Sequence, residues 1–289
     1  MDTSLSDDVD NGLLSERLPQ IQYPHYFEFK GKIFTMSDGT RWQLLEPLSC
    51  LATQQVNPPG EARQVFSCKC LDPPWPDHGD AVVKIKYQVR AQDKSIRNYE
   101  GWIQEYEQSM KRYPETAAED QSEIDFCRYL IHAATNPTNK PNRQTLDEIA
   151  ALERLGSKTC EHAPWLYEVW WGTVQPDIHE GIVGGYMALI LMKKVPGKRL
   201  SYYEYWKLSL AQRDEIRQAF KKALTAVWEC GVRPLDKAMR SIVWDERDRT
   251  CYIVDFEDAE FYNETDERQE FTDRDYRAWD LAESCFRGW

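Results

Sequence analysis

The sequence predicts a two-lobed α+β protein. Segments with strand character fill the first ninety residues, whereas amphipathic helical patterns dominate the later part of the chain. A chain of 289 residues is long enough to bury a sizeable core. A sheet that comes first, followed mostly by helices, is the element order expected of an α+β architecture with two lobes.

Strands are expected throughout the first ninety residues, after an acidic, flexible lead-in at 1–20. Turn signals at Gly31 and at Asp38-Gly39 separate segments that are rich in aromatic and β-branched residues. The expected strands are 25–30, 32–36, 41–47, 64–71 and 80–89. Their short connections predict an antiparallel sheet with hairpin links.

Helical periodicity begins near residue 95. Trp102, Tyr106 and Met110 recur at steps of four, so we expect their face to pack in the core or between the lobes. Pro114 divides this region into two helices. Further helices are expected at 145–155 and 211–229, and strands at 183–193, 241–244 and 250–254.

These elements predict the domain organisation. A small lobe is expected at 21–194, interrupted by a helical insertion at 89–142, and a reduced helical lobe is expected at 195–289. The hydrophobic content of 42% and the charged content of 29% are typical of a globular chain.

Composition excludes several classes of function. The chain has 36 basic and 48 acidic residues, and a net charge of −12 argues against a nucleic-acid partner. No run of about 18 apolar residues is present, so no membrane span is expected. The acidic start lacks the features of a secretory signal, which predicts a cytoplasmic protein with reduced thiols. Cys68 and Cys70 have no second pair at zinc-ligand spacing.

Four charged landmarks occur in an order that suggests phosphoryl transfer. Lys84 ends the apolar run Ala-Val-Val-Lys, Glu148 lies on a helix, Asp236 lies in a loop, and Asp255 ends a buried strand within Asp-Phe-Glu. Phosphoryl transfer uses a lysine for the phosphates, a glutamate that holds it, a loop aspartate near the acceptor and an aspartate for Mg²⁺. This order resembles the protein-kinase-like superfamily, in particular its small-molecule and fungal kinase-like branch, which includes aminoglycoside- and choline-kinase-like proteins.

The resemblance implies a kinase-like two-lobed fold and a role for each landmark. Lys84 would brace the phosphates of ATP, with Lys86 as the weaker candidate. Glu148 would pair with this lysine, with Glu153 in reserve. The segment from Met192 to Lys194 resembles the hinge between lobes where an adenine binds, and Pro-Gly-x-x-Leu after a hinge is common in this branch.

The same resemblance assigns the loop residues. Asp236 falls on the catalytic aspartate, and Asp255 and Ser241 fall on the two positions that hold Mg²⁺. The expected cofactors are therefore ATP and Mg²⁺.

Four departures qualify this assignment. No G-x-G-x-x-G motif lies between the first two strands, and Pro234 stands where the family has a histidine. Ser241 replaces an asparagine, and a hydroxyl is a weaker Mg²⁺ ligand than an amide oxygen. Only 34 residues follow Asp255, too few for the helices of a protein-substrate platform, so we expect a small-molecule acceptor.

The main hypothesis is an ATP- and Mg²⁺-dependent phosphotransferase that acts on a small-molecule hydroxyl or amine. Two alternatives stay open. One is a pseudokinase that binds a nucleotide or a protein partner without turnover, and the other is a kinase fold reused for non-phosphoryl chemistry in specialised metabolism. The retained charges at positions 84, 148, 236 and 255 favour the first, whereas Pro234 and Ser241 favour the alternatives.

Overall fold

The computed structural model describes residues 29–72, 81–263 and 269–283. The predicted lead-in at 1–20 and most of the predicted strand at 25–30 lie outside these ranges. No helix within them is both long and apolar enough to cross a membrane. The cysteines within them are free thiols.

A seven-stranded antiparallel sheet forms the first lobe. Its strands are β1 (Ile33–Thr35), β2 (Arg41–Pro47), β3 (Ala52–Gln54), β4 (Gly60–Cys70), β5 (Ala81–Val89), β6 (Leu166–Thr173) and β7 (Tyr186–Lys193). The spatial order is β1-β2-β4-β5-β7-β6, and β3 pairs with β4 outside this path. Strands β3 and β6 were not expected from the sequence.

The central strand β5 separates two environments because successive side chains point to opposite faces. Val83, Ile85 and Tyr87 belong to a core that includes Trp42 and Phe66, and all five are at most 1% exposed. The alternate positions on the other face carry the two lysines of the strand. A strand buried on both faces therefore has one apolar side and one charged side.

Three helices lie between β5 and β6. They are α1 (Asp93–Arg112), α2 (Ala117–Ala133) and α3 (Arg143–Ser157), and a 3-10 turn at Pro114–Thr116 joins the first two. The break at Pro114 was predicted correctly. The expected burial of the aromatic face of α1 was wrong for Trp102, which is 47% exposed, whereas Tyr106 and Met110 are partly buried and Ser95 is the buried residue of this helix. Trp102 packs edge-on against Tyr99 one turn away.

The second lobe is built around one long helix. Its elements are β8 (Lys198–Arg199), α4 (Tyr202–Lys207), α5 (Leu210–Glu229), β9 (Val232–Pro234), β10 (Ile242–Asp245), β11 (Thr250–Ile253), β12 (Ala259–Phe261) and α6 (Asp273–Ala278). Helix α5 begins at a capping box formed by Ser209 and Gln212, and it buries Ile216, Phe220 and Leu224 along one face. Strands β11, β10 and β8 form a small antiparallel sheet, and β12 pairs with β9.

The architecture confirms the predicted fold class at the level of a two-lobed α+β protein. One apolar core lies on the outer face of the first sheet, and a second joins α3 and α5 to the small sheet of the second lobe. Ile190 and Met192 of β7 belong to the second core, so this strand links the two lobes. The charged face of β5 looks toward the cleft that remains between them.

Candidate active site

A cavity of about 350 Å³ lies between the lobes. Its upper wall comes from the charged face of the first sheet and its floor from β10 and the segment after β11. The apolar part of its wall is formed by Leu48, Val65, Val82, Leu152, Val243 and Phe256. The charged part includes Lys84, Glu148 and Asp255. The cavity thus has an apolar region and a charged end.

Lys84 is surrounded by carboxylates at that charged end. Its ammonium Nζ lies 2.8 Å from a carboxylate oxygen of each of three residues, Glu148, Asp255 and Glu257. These residues come from α3 and from the segment that follows β11. The structure therefore brings together three of the residues singled out from the sequence, from positions 64 and 171 residues apart.

Lys86 lies deeper in the interior than Lys84, on the same face of β5. Its side chain is fully buried, and Nζ lies 3.1 Å from Glu61, 3.4 Å from Glu148 and 3.1 Å from Glu257. Arg63, opposite Lys86 on β4, adds a contact of 3.1 Å to Glu257. Because two lysines share Glu148 and Glu257, the network is continuous from the cavity wall to the interior.

Hydrogen bonds fix the start of α3 against the sheet. The hydroxyls of Tyr186 and Thr145 both donate to Glu61, the first at 2.8 Å. Asn142 caps the helix by accepting from the backbone N–H of Gln144 at 3.0 Å. Its amide nitrogen donates to the backbone oxygen of Pro59 at 2.8 Å. Glu148 therefore lies on a helix whose first turn is anchored to β4 and β7.

The charge states of Lys84 and Asp255 follow from this packing. Burial alone would lower the pKa of Lys84, but the charges of Glu148, Asp255 and Glu257 outweigh it and raise the pKa above its ordinary value. Burial alone would raise the pKa of Asp255, yet the charge and hydrogen bond of Lys84 hold it well below the usual range. Both groups are charged at neutral pH.

The pKa values of two further carboxylates of the network shift in opposite directions. Burial raises the pKa of Glu148 despite the opposing charges of Lys84 and Lys86. For Glu257, burial is outweighed by Lys84 and Lys86, and its pKa falls below the ordinary value. Of the three carboxylates that contact Lys84, Glu148 is therefore the most easily protonated.

Asp255 has a left-handed backbone conformation with φ +70°. A non-glycine residue in this region carries a conformational cost of about 1–3 kcal/mol, and such residues concentrate at functional sites. The preceding residue is held in place because its N–H, that of Val254, donates to the backbone oxygen of Ser241 at 2.9 Å. This hydrogen bond links the loop before β10 to the segment after β11.

The predicted loop residues are not among those that line the cavity. Asp236 is 38% exposed at its side chain and forms an ion pair with Arg240, four residues later. Ser241 is 1% exposed, and its hydroxyl has no hydrogen-bond partner. Within the part of the chain that the structure describes, neither Asp236 nor Ser241 lines the cavity.

The predicted hinge residues Met192 and Lys194 do line the cavity, at the end of β7 and just beyond it. The chain then turns at Gly197, whose φ is +104°. A Cβ at this position would lie 2.2 Å from the backbone oxygen of Trp244, so only glycine allows this approach. Gly197 thereby delivers the next two residues, Lys198 and Arg199, to the edge of β10.

The residues of the cleft fit a Mg²⁺ ion only in part. Among the described residues, no group of three or more histidine, cysteine, aspartate or glutamate side chains is arranged to hold a metal ion. Mg²⁺ is commonly bound by one or two carboxylates together with substrate phosphates, so Asp255 on the cavity wall suits that mode. The unpartnered hydroxyl of Ser241 is a second oxygen in the adjoining loop.

Sequence reasoning missed Glu61 and Arg63 and gave Glu257 no role. A signal was present, because Glu61 and Arg63 alternate on β4 as Lys84 and Lys86 do on β5. Two neighbouring strands with charges at every second position predict a charged face that needs partners from a third element.

No protein-family model matches the chain, and no curated protein matches it. Solved structures that resemble it include that of PK-1, the kinase of the Cydia pomonella granulovirus. This match covers 76% of the present chain and 52% of the viral chain, with 13% sequence identity and a TM-score of 0.36. The chain thus spans about half the length of the viral kinase, and the likeness concerns the fold alone.

Proposed function

We propose that this protein is a kinase-like phosphotransferase that uses ATP and Mg²⁺ to phosphorylate a hydroxyl or amine of a small molecule. The observation that carries the proposal is the pair of 2.8 Å contacts from Lys84 to Glu148 and Asp255 on the wall of a cavity with an apolar half. The apolar half suits an adenine, and the charged half suits phosphates with their metal ion.

Each residue has a distinct task in this proposal. Glu148 holds Lys84 in the cavity wall, so that the ammonium faces the phosphates without first reorganising. Asp255 is ionised and supplies a carboxylate for Mg²⁺, which when bound neutralises charge on the phosphates. Asp236 orients the acceptor and takes its proton, which requires release from Arg240.

The choice of a small acceptor rests on the resemblance to the small-molecule branch. The segment Val195-Pro-Gly-Lys-Arg-Leu200 follows the hinge as in that branch, and Gly197 has a backbone conformation that requires glycine. A protein kinase would need a surface for an extended substrate chain as well. Site-specific phosphorylation of a protein by the purified chain would contradict this part of the proposal.

A pseudokinase is the second candidate. It is favoured by the ion pair between Asp236 and Arg240 and by the fact that neither Asp236 nor Ser241 lines the described cavity. In that case the cleft binds a nucleotide, or a protein partner binds the lobes, without turnover. A third candidate, non-phosphoryl chemistry in the same cleft, predicts product formation that does not depend on ATP.

The test combines binding and turnover. In a thermal-shift titration, ATP with Mg²⁺ should raise the apparent stability by about 2.7 kcal/mol at a hundredfold excess over the dissociation constant. Asp255→Asn should weaken this binding, whereas Asp236→Asn should leave it intact. Lys69→Ala, which removes an exposed cation of β4 away from the cavity, serves as the control.

Turnover is then measured by phosphate transfer from labelled ATP to a panel of small alcohols and amines. Asp236→Asn should lower the rate by about 10²–10⁴-fold. Full activity in that variant would contradict the catalytic assignment. Nucleotide binding without transfer in the wild type would favour the pseudokinase, and absence of any ATP binding would exclude both nucleotide-based proposals.

A further inference from the structure

The charged end of the cleft is not positive. The network contains three cations, Lys84, Lys86 and Arg63, and four carboxylates, Glu61, Glu148, Asp255 and Glu257. With every group ionised its net charge is −1, and protonation of Glu148 would bring it only to zero. Lys84 is already satisfied by three carboxylates, so by itself it offers little attraction to an anion.

The mouth of the same cavity is lined by positively charged side chains. Four cations, Lys193, Lys194, Lys198 and Arg199, occur within seven residues and all line the cavity. Within the described ranges, Lys193, Lys198 and Arg199 have no carboxylate partner, and Lys193 lies 5.1 Å from the ring centre of Trp165. In a chain with a net charge of −12, three cations without a carboxylate partner so close together in the sequence are unusual.

Strand register orients Arg199 toward the cavity. Arg199 pairs with Val243 across β8 and β10, and Lys198 pairs with Trp244. Cross-strand partners share a face of the sheet, and Val243 forms part of the cavity floor, so Arg199 starts from the cavity face, whereas Lys198, which also lines the cavity, starts from the opposite face. Burial raises the pKa of Asp255, but the charges of Lys84, Arg63 and Arg199 lower it, with Lys84 the largest and Arg199 the smallest of the three effects.

We infer that Arg199, assisted by Lys198, forms an anion-binding subsite at the mouth of the cleft that holds the polyphosphate of a bound nucleotide. The nucleotide part of this inference rests on the proposed function. The subsite supplies the positive charge that the neutralised Lys84 network lacks and that no glycine-rich loop provides. Lys84 then positions the phosphate nearest to Asp255, while attraction of the anion depends on the mouth.

The experiment measures dissociation constants by calorimetry for ATP with Mg²⁺, for adenosine and for inorganic tripolyphosphate. Arg199→Ala should weaken the binding of ATP and of tripolyphosphate by about tenfold and leave adenosine within about twofold. Lys198→Ala should weaken the two anions by about threefold, since its register places it on the other face. Arg199→Lys should retain most of the affinity.

Lys69→Ala, an exposed cation of β4, is the matched control and should change none of the three constants. Thermal melting of each variant checks that the fold is intact. Wild-type binding of ATP that is unchanged in Arg199→Ala would overturn the subsite and leave the proposed function standing. Equal losses for adenosine and ATP would also overturn it, because the effect would then not concern the anion.

The two proposals fail in different ways. Binding of tripolyphosphate but not of ATP by the wild type would support the subsite and exclude the nucleotide-dependent function. Binding of neither would overturn both. Higher ionic strength should weaken the binding of tripolyphosphate to the wild type more than to Arg199→Ala, because salt screens the exposed charge at position 199.

Discussion

The Lys84 end of the cleft and the loop that carries Asp236 differ in how their charged side chains are paired. Lys84 and Lys86 are buried and together contact four carboxylates that come from three separate parts of the chain. Asp236 is partly exposed and pairs with Arg240, four residues away in the same loop. One region is fixed by contacts between distant elements, and the other by a local contact with solvent nearby.

This difference shows which positions the fold determines. An unpaired charge in the interior costs several kcal/mol, so the buried lysines and carboxylates must meet one another wherever the backbone places them. The ion pair of Asp236 is worth at most about 1 kcal/mol, so a ligand can replace it. The buried end is thus a rigid support, whereas the loop can exchange its ion-pair partner at little cost.

The largest expected effect comes from breaking the buried network at Lys86. Lys86→Met keeps the length of the side chain but leaves Glu61 without its cation in a buried site, and it should lower the free energy of unfolding by about 3–5 kcal/mol. Urea denaturation measures this change. Lys69→Met on the exposed face of β4 is the control and should stay within about 0.5 kcal/mol of the wild type.

A second substitution separates the charge effect from packing. If the loss in Lys86→Met reflects the stranded carboxylate, then adding Glu61→Gln should restore part of the stability, so the double variant is less destabilised than the sum of the two. Strict additivity would mean that the two groups act independently. The buried end of the cleft would then not be the coupled network described here.

The pH dependence of stability should report the same network. The pKa values of Asp255 and Glu257 are lowered in the folded protein, so their contribution is present above about pH 4 and is lost as the pH falls through their folded values. The pKa values of Lys84 and Lys86 are raised, so their contribution is present below about pH 10 and is lost at higher pH. Glu148 has the opposite effect on stability. Because burial raises its pKa, its protonation at low pH offsets part of the stability lost in acid.

Urea midpoints between pH 2 and 11 test this expectation. Asp255→Asn removes one of the two carboxylates with a lowered pKa and should make the acid limb of the profile shallower. The stability that the wild type loses in acid should be smaller than the stability lost in Lys86→Met, because protonation of Glu148 offsets part of the acid effect. An acid limb identical to that of the wild type would show that Asp255 does not contribute to folding through its charge.

The same contrast explains how much the sequence could predict. The two-lobed fold and the break at Pro114 follow from the element order and from periodicity. The pairing of Lys84 with Glu148 and the loop position of Asp236 were implied by the resemblance to a kinase-like pattern, but the ion pair of Asp236 with Arg240 depends on side-chain rotamers that no spacing specifies. The exposure of Trp102 was mispredicted because helical periodicity locates an apolar stripe without showing what covers it.

The register between neighbouring strands could not be predicted from the sequence either. Glu61 and Arg63 join the network only because β4 pairs with β5 so that Arg63 lies opposite Lys86, and a shift of one residue would have turned both charges to the apolar core. The strand β6 was missed although it contains Val169 and Trp170, since most of its residues are only partly buried and the alternation is weak. Pairing with β7 stabilises this edge strand.

A smaller effect is expected at Ser241, which lies between the two regions. Its hydroxyl is buried without a hydrogen-bond partner, so removing it takes away an unsatisfied polar group and leaves only a small volume change. Ser241→Ala should leave the free energy of unfolding unchanged or raise it by up to about 1 kcal/mol. A clear loss of stability would mean that the hydroxyl has a partner, such as an ordered water molecule.

The smallest effect on stability is expected at Asp236. Because the side chains of Asp236 and Arg240 are 38% and 64% exposed, their ion pair is screened by solvent, and Asp236→Asn should change the free energy of unfolding by at most about 0.5 kcal/mol. Arg240→Ala should do the same, and a double-mutant cycle should give a coupling of about 0.2–1 kcal/mol. A variant that keeps its stability but loses turnover by orders of magnitude would assign Asp236 to chemistry and not to the fold. A loss of more than about 2 kcal/mol would instead show that this loop is held as firmly as the Lys84 end, and the proposed exchange of Arg240 for an acceptor would then be too costly to occur.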